Sequence, residues 1–383
     1  MSRTRTLLVT GGAGFIGANL VHHLAAEGRY AVVNVDKLTY AGNLQSLAGL
    51  TGAQGHTFVQ ADICNGSALA KIFDRYQPDA VLHLAAESHV DRSIDGPAVF
   101  VETNVVGTMT LLEVARDYCD ARFGGAMDAA ARPLADGGFR FVHVSTDEVF
   151  GSLGSRGQFR ESSRYRPNSP YAASKAAGDH LARAWAQTYG LPVITTNCSN
   201  NYGPYQFPEK FVPLAILAAL EGRPVPVYGD GKQMRDWLYV TDHVRALVAI
   251  LEGGESGKVY CIGGGAEKRN LQVACAICDL VDELAPNLKH RRRNLITHVE
   301  DRPGHDRRYA MDAARLQRGC SVNSACARAK VFAPACARRF AGISRTAPGG
   351  ARYATAVTVA SASGSSARTE PGRGQALCQA TQL

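Results

Sequence analysis

The stretch Gly11-Gly12-Ala13-Gly14-Phe15-Ile16-Gly17 constrains this chain more than any other. It stands between an apolar run at residues 6–10, which reads as a strand, and residues 15–27, which read as a helix. Glycine is required where a strand-to-helix turn is tight, where backbone must approach a ligand phosphate, and where helix packs closely on strand. The free N–H groups at the start of such a helix then face the phosphate. The motif alone is weak, but its position after a strand and at the opening of a helix is that of a dinucleotide-binding turn. The apolar run at 31–35 ends in Asp36, nineteen residues after Gly17. A carboxylate at the tip of a second strand accepts hydrogen bonds from ribose hydroxyls and repels a 2′-phosphate. The expectation is NAD rather than NADP, bound on a doubly wound parallel α/β sheet.

The strand–helix rhythm continues. Residues 56–61 read as a third strand ending in Asp62-Ile63, an adenine-edge contact or a simple turn. Residues 79–84 read as a fourth, followed by Ala85-Ala86-Glu87-Ser88-His89. Small residues at a strand's end let backbone pass close to a cofactor, Ser88 adds a hydroxyl, and His89 is better read as a loop histidine. Residues 99–118 have helical spacing, with Thr103 and Asn104 near the start. Residues 119–138, rich in Ala, Gly and Asp, read as a surface loop insertion. Phe141, Val142 and Val144 then mark a short buried strand that ends in Thr146-Asp147-Glu148 before the turn at Gly151.

In an open α/β sheet, ligands bind outside the carboxyl ends of the strands, where those three residues stand. Tyr171 and Lys175, four apart on a helix, share one face. A free tyrosine titrates near about 10, and a neighbouring ammonium favours its phenolate. Two adjacent carboxyls in one pocket can be driven to different protonation states, as an acid and base pair requires. A phenol, an ammonium, a hydroxyl and two carboxyls together are able to move a hydride and several protons. After a strand at 191–197 and the run Cys198-Ser199-Asn200-Asn201, the rhythm becomes irregular, as in a smaller second domain.

Charge and cysteines exclude other classes. The formal charge is +8, but the ten Lys and Arg and the single Glu370 from residue 313 onward account for +9 of it. The preceding body is therefore nearly neutral, which argues against a nucleic-acid partner. Arg291-Arg292-Arg293 reads as a solvated loop. The longest apolar helix candidate, residues 211–220, is too short to span a bilayer, and the N-terminal residues show no secretory pattern. Ten cysteines in such a chain suggest reduced thiols and a cytoplasmic location. Cys275 and Cys278 have no second ligand pair, so no metal is expected.

The stretches GGAGFIG, LAAESHVDRS, STDEVFG, YAASKAAGDH, NCSNNYGPYQFPEKFVP, VPVYGDGKQMRDWLYVTDH and DRPGHDRRY together cover most of the chain from residue 6 to about 312. In these the chain resembles the extended short-chain dehydrogenase/reductase superfamily and, within it, the dTDP-glucose 4,6-dehydratase family. The resemblance implies oxidation of a nucleotide-linked glucose at C4 by bound NAD, loss of water across C5 and C6, and hydride return to C6. By the same resemblance Tyr171, supported by Lys175, takes the 4-hydroxyl proton while Thr146 holds that oxygen. Glu148 takes the C5 proton, and Asp147 protonates the leaving C6 hydroxyl. It further implies NAD contacts from Gly11, Gly14, Phe15, Ile16, Gly17, Asp36, Lys37, Leu38, Thr39, Asp62, Ile63, Leu84, Ala85, Ala86, Ser88, Thr103, Tyr171, Lys175 and Asn201. Contacts to dTDP-glucose fall on Ser88, Thr146, Asn200, Glu209, Lys210, Pro226, Val227, Tyr228, Arg235, Asn270, Asp301, Arg302 and His305. For Arg235 the chemistry adds support, since a guanidinium binds a diphosphate through two parallel hydrogen bonds. The rival role for Arg235 is an ion pair with Asp236 or Asp242. Family members of this kind pair through two helices, so a homodimer is implied. The alternatives are a sugar-nucleotide 4-epimerase, a dehydratase for another nucleotide sugar, and an inactive NAD-binding scaffold.

The expected division is an NAD-binding domain at 1–203 with segments returning from the second half, and a smaller mixed α/β sugar-nucleotide domain at 204–316. An atypical basic tail follows at 317–383. From residue 319 the composition of Ala, Arg, Ser, Gly and Cys holds no period and suggests disorder. Either the reading frame is lost near residue 317 or the tail is a genuine basic segment. Translating the neighbouring frame distinguishes the two.

Overall fold

The computed structural model describes residues 4–50, 52, 55–286 and 291–320. The expectations for the tail beyond residue 320 lie outside the described residues. Seven parallel strands form the main sheet: β1 (Arg5–Thr10), β2 (Tyr30–Asp36), β3 (His56–Gln60), β4 (Ala80–His83), β5 (Arg140–Thr146), β6 (Val193–Cys198) and, after three strands of the second lobe, β10 (Val259–Ile262). Their spatial order is β10-β6-β5-β4-β1-β2-β3. The chain runs outward from β1 through β2 to β3, then returns to the other side of β1 with β4. The crevice between the ends of β1 and β4 is thus the topological switch point, where such sheets take their ligands.

The strands are nearly continuous apolar runs because helices cover both faces. One face packs Leu20, Val21 and Leu24 of the Phe15–Glu27 helix, and Val244, Leu247 and Leu251 of the Val240–Gly253 helix, against Leu7, Val9 and Leu82. The other packs the Gly66–Tyr76, Thr108–Phe123 and Pro170–Tyr189 helices against Leu8, Val33, Val81 and Phe141. The final described helix, Ala314–Gly319, docks Leu316 and Cys320 on the first face and so runs past the expected tail boundary at 317.

The smaller lobe joins β7 (Asn200–Tyr202), β9 (Met234–Tyr239) and β11 (Glu267–Arg269) in one sheet, and β8 (Val225–Tyr228) with β12 (Ile296–Val299) in another. The Phe211–Glu221 and Asn270–Leu284 helices close over Tyr202, Val225, Val227 and Trp237.

Two sequence expectations change. Residues 119–138 are no surface loop: the preceding helix runs to Phe123, a second spans Ala126–Ala131, and Ala126, Ala129, Leu134 and Phe139 are buried. Small alanines spaced by three carry the burial, which hides it from a search for large apolar residues. The helix expected at 99–118 extends over Pro97–Phe123 and contains a π turn at Glu102–Gly107. It has 27 residues, and its most apolar stretch has a mean hydropathy of 1.3, so among the described residues it displaces residues 211–220 as the longest apolar helix. Its inner face packs on the Gly66–Tyr76 and Pro170–Tyr189 helices. At the π turn Asn104 turns inward, bonding the Glu87 backbone through both N–H and carbonyl at 2.9 Å and donating to Ser174 Oγ at 2.9 Å.

Candidate active site

The cleft begins at the glycine turn. Gly11 lies at φ +73°, and a Cβ there would come 2.6 Å from Ala85 N. A Cβ on Gly17 would come 2.1 Å from Gly11 O. Both positions therefore exclude side chains, and the floor of the cleft is bare backbone leading into the N-terminus of the Phe15–Glu27 helix. Asp36 ends β2 with one carboxylate oxygen on Ala13 N at 3.0 Å and the other on Leu38 N at 2.8 Å. It braces the turn and keeps lone pairs for further donors. Burial nevertheless pushes its carboxyl above the usual range.

Gly11, Gly14, Phe15, Ile16, Gly17, Asp36, Lys37, Thr39, Ile63, Leu84, Ala85, Ala86, Ser88 and Thr103 all line this end, as the sequence reading placed them. Leu38 and Asp62 do not. Leu38, at φ +60°, gives its backbone to the turn. The Asp62 side chain caps Cys64 N at 2.9 Å and pairs with Lys37 at 3.3 Å. A glycine cradle, a carboxylate at the second strand tip and an unshielded helix start fit a dinucleotide.

The other end of the cleft holds the chemistry. β5 delivers Thr146, after which one 3₁₀ turn, Asp147–Phe150, presents the two acids. The Thr146 hydroxyl accepts from Glu148 N at 3.2 Å and donates to Asp147 Oδ1 at 3.3 Å. Tyr171, Lys175, Asn200, Asn201, Glu209 and Lys210 line the same space. The two carboxyls have different surroundings. Asp147 is fully buried, its Oδ2 has no hydrogen-bond partner, and burial together with Glu148 and Asp236 pushes its pKa well above the carboxylate range. Burial also raises Glu148, but Arg302, Arg235 and Lys210 oppose the rise. Of the two, Asp147 is the carboxyl whose charged form is more strongly disfavoured.

Tyr171 is buried at the same end of the cleft. Burial and the Glu148 charge hold its phenol well above the ordinary tyrosine value, with only the Thr146 hydroxyl among the main influences acting the other way. Lys175 points its ammonium at Val144 O, 2.9 Å away. Burial thus opposes the phenolate, which a neighbouring ammonium and the positive charge of a bound nicotinamide would favour.

The other residues expected to meet the substrate, Pro226, Val227, Tyr228, Arg235, Asn270, Asp301, Arg302 and His305, are not among those lining the cleft, although Arg235 and Arg302 act on Glu148 by charge. Arg235 is buried, bonded to Met234 O and Asp306 O at 2.9 Å each and stacked over Tyr309 at 4.3 Å. Neither bond is the ion pair with Asp236 or Asp242. Tyr228 donates to Asp91 at 3.4 Å, which Arg302 also approaches at 3.5 Å. His305 bonds Asp301 at 2.5 Å. Val227 faces the small lobe's core, so any ligand contact from it must come from its backbone. Pro226 sits in β8, and Asn270 opens the Asn270–Leu284 helix with its N–H on Gln233 O at 2.9 Å. Asn201 is occupied inward, by Ser199 O at 2.9 Å and His243 at 3.0 Å. Glu209 accepts from Tyr40 and Arg92 at 3.1 Å each, and Lys210 donates to Ser88 O at 2.7 Å.

Sequence reasoning missed Glu87, Cys198, Gln206 and Phe207 as lining residues. Cys198 ends β6 and Glu87 stands four residues past the end of β4, a signal that was available. Gln206 and Phe207 enter from a loop with no period to announce it.

Residues 8–320 match the family model described as GDP-mannose 4,6 dehydratase. The chain is 56% identical over 321 residues to dTDP-glucose 4,6-dehydratase 1 of Escherichia coli K12, covering 82% of this chain and 86% of that one. It is 55% identical to the dTDP-glucose 4,6-dehydratase of Salmonella typhimurium LT2 over the same shares. Among solved structures it is similar to DesIV, a dTDP-glucose 4,6-dehydratase from Streptomyces venezuelae with NAD and TDP bound. That match has a TM-score of 0.73 at 44% identity, over 82% of this chain and 90% of that one. A UDP-glucose 4-epimerase from Thermus thermophilus with NAD is more distant in sequence, at 29% identity and a TM-score of 0.69, over 82% of this chain and 92% of that one.

Proposed function

The chain belongs to the dTDP-glucose 4,6-dehydratases, NAD-dependent hydro-lyases, and we propose that its cleft divides that reaction among Tyr171, Thr146, Asp147 and Glu148. The cofactor would lie on Gly11–Gly17 and Asp36, with Lys175 and Tyr171 at its far end. Bound NAD supplies the hydride acceptor at C4 of the sugar and the hydride donor at C6. Thr146 orients the C4 oxygen, and Tyr171 takes its proton. The resulting ketone acidifies the C5–H, which Glu148 removes. Asp147 gives its proton to the C6 hydroxyl, which departs as water, and Glu148 returns a proton to C5 as the hydride reaches C6. The product is dTDP-4-keto-6-deoxy-glucose, and the cofactor ends as it began.

The observation that carries this division is the split between the two carboxyls. Asp147 is buried with Oδ2 unpartnered and is raised well above the carboxylate range, with Arg235 alone opposing among the cations; Glu148 is raised against the opposition of Arg302, Arg235 and Lys210. An epimerase has no use for such a pair. Incubating the NAD-loaded protein with dTDP-glucose should give a 4-keto-6-deoxy sugar nucleotide. A galacto-configured product would instead establish epimerisation, and an unaltered substrate would leave only cofactor binding.

Substrate contacts are assigned to Ser88, Asn200, Lys210, Arg235, Arg302 and His305. Asn200 Oδ1 and Asp147 Oδ2 are both buried and unpartnered where the sugar would sit. A homodimer is the proposed assembly. Val99, Val101, Val106 and Met109 are 39–50% exposed along one side of the Pro97–Phe123 helix, next to the Pro170–Tyr189 helix. A second copy covers that stripe with its own, and Val101→Lys should yield a monomer in sedimentation. The seven described cysteines are free thiols, which suits the cytoplasm. No nucleic acid, membrane or metal is assigned a part.

A further inference from the structure

Behind the catalytic helix lies a set of buried polar groups to which the reaction gives no task. Asp179 is one turn after Lys175 on the Pro170–Tyr189 helix and is almost wholly enclosed. His143 Nε2 of β5 meets its Oδ1 at 3.0 Å. Its Oδ2 accepts from Tyr165 OH at 2.8 Å and from Asn197 Nδ2 of β6 at 3.0 Å. The same Asn197 amide reaches Thr146 O at 3.2 Å. Gly178 lets the helix come this close, since a Cβ there would meet Asn104 O at 3.0 Å and the His143 ring at 3.5 Å. One side chain therefore ties helix, β5, β6 and the loop before the helix at the level of the catalytic groups.

Resting on the dehydratase reading, we propose that Asp179 is a positioning residue: the buried carboxylate partner that keeps Lys175 charged and, through Asn197, fixes the Thr146 backbone opposite Tyr171. A buried ammonium is costly unless an opposite charge shares its enclosure. Lys175 and Asp179 are i and i+4 on one helix face. The other titratable groups around them are His143 of β5, His83 of β4 behind it, Cys198 of β6, Tyr165 and Tyr171. Burial disfavours the charged form of all five, lowering the histidines and raising the thiol and phenols. Burial lowers Lys175 and Asp179 opposes this, while His143 and Lys175 help keep Asp179 ionised. A carboxylate there for packing alone would not need to be charged.

The sign follows directly. Without the Asp179 charge, Lys175 loses its proton at lower pH, so the alkaline limb of the first oxidation moves down. The test uses the NAD-loaded protein with dTDP-glucose and reads single-turnover hydride transfer from pH 6 to 10, about one unit to either side of the expected limbs. Asp179→Asn should bring the alkaline limb down by about one unit, a roughly tenfold loss where the unmodified protein is still on its plateau. Tyr165→Phe removes a hydrogen bond but no charge and should leave the limb in place. Equal rate loss at every pH for Asp179→Asn, or an equal shift for Tyr165→Phe, overturns the proposal. Thermal unfolding gives a second reading independent of turnover. Asp179→Asn combined with Lys175→Met should unfold at a higher temperature than Asp179→Asn alone, because no buried charge is then left unpaired; a lower or equal midpoint contradicts the inference. Absence of hydride transfer in the unmodified protein, by contrast, would retire the dehydratase reading and leave this stability comparison to decide for or against Asp179.

Discussion

The two ends of the cleft are built by different means. At the cofactor end the surface is backbone: Gly11 and Gly17 have no room for a Cβ, and Asp36 spends its carboxylate on N–H groups of the turn and of Leu38. At the other end the surface is side chains, brought from β5, the Pro170–Tyr189 helix and the Phe207–Lys210 turn, with Arg235 of β9 and Arg302 acting on Glu148 by charge. The first end depends on steric exclusion, which is local. The second depends on two lobes staying in register, since Glu148 of one lobe feels Arg235 and Arg302 of the other.

Substitutions can sharpen that contrast. The largest effect is expected from Glu148→Gln, which removes the base and leaves C4 oxidation intact: elimination should slow about 10²–10⁴-fold, seen as reduced nicotinamide that forms without deoxysugar product. Gly11→Ala should cost about 2–4 kcal/mol of stability and abolish NAD retention in calorimetric titration. Affinity within a few-fold of the unmodified protein would break the claim that this end works by exclusion. Arg235→Lys keeps the charge but not the fork; KM for dTDP-glucose should rise about tenfold with little change in kcat. Tyr40→Phe removes one of the Glu209 hydrogen bonds and should weaken substrate binding by about 0.5–1.5 kcal/mol.

Asp147→Asn separates function from stability. A carboxyl whose folded pKa is raised makes the protein less stable as pH climbs from the unfolded value near about 3.9 toward the folded one, because the unfolded chain loses its proton first. The penalty is complete above the folded pKa. The substitution should therefore slow water loss yet raise the melting temperature at pH 8 more than at pH 4. An equal change at both pH values would mean that Asp147 is not held protonated by burial.

The contrast also governs what the sequence disclosed. The glycine turn, Asp36 and the Phe15–Glu27 helix were legible because each residue type has a local reason to stand where it does. So was the strand ending in Thr146-Asp147-Glu148, from three apolar residues and a glycine. The second lobe was not: β8, β11 and β12 are three- and four-residue strands, too short for a period to show. Arg235, Arg302 and His305 entered only through resemblance. The Ala126–Ala131 helix was hidden because alanines carry its contacts. The aim of Lys175 was invisible for another reason: the i,i+4 spacing puts it on the right face but cannot say that its ammonium is turned to Val144 O.

The central claim is that one cleft oxidises C4, eliminates water with Glu148 and Asp147, and restores hydride at C6. The most direct measurement places deuterium at C4 of dTDP-glucose and locates it in the product. The account predicts the label in the C6 methyl group, carried there within a single active site. Deuterium remaining at C4, or lost to solvent, would contradict it.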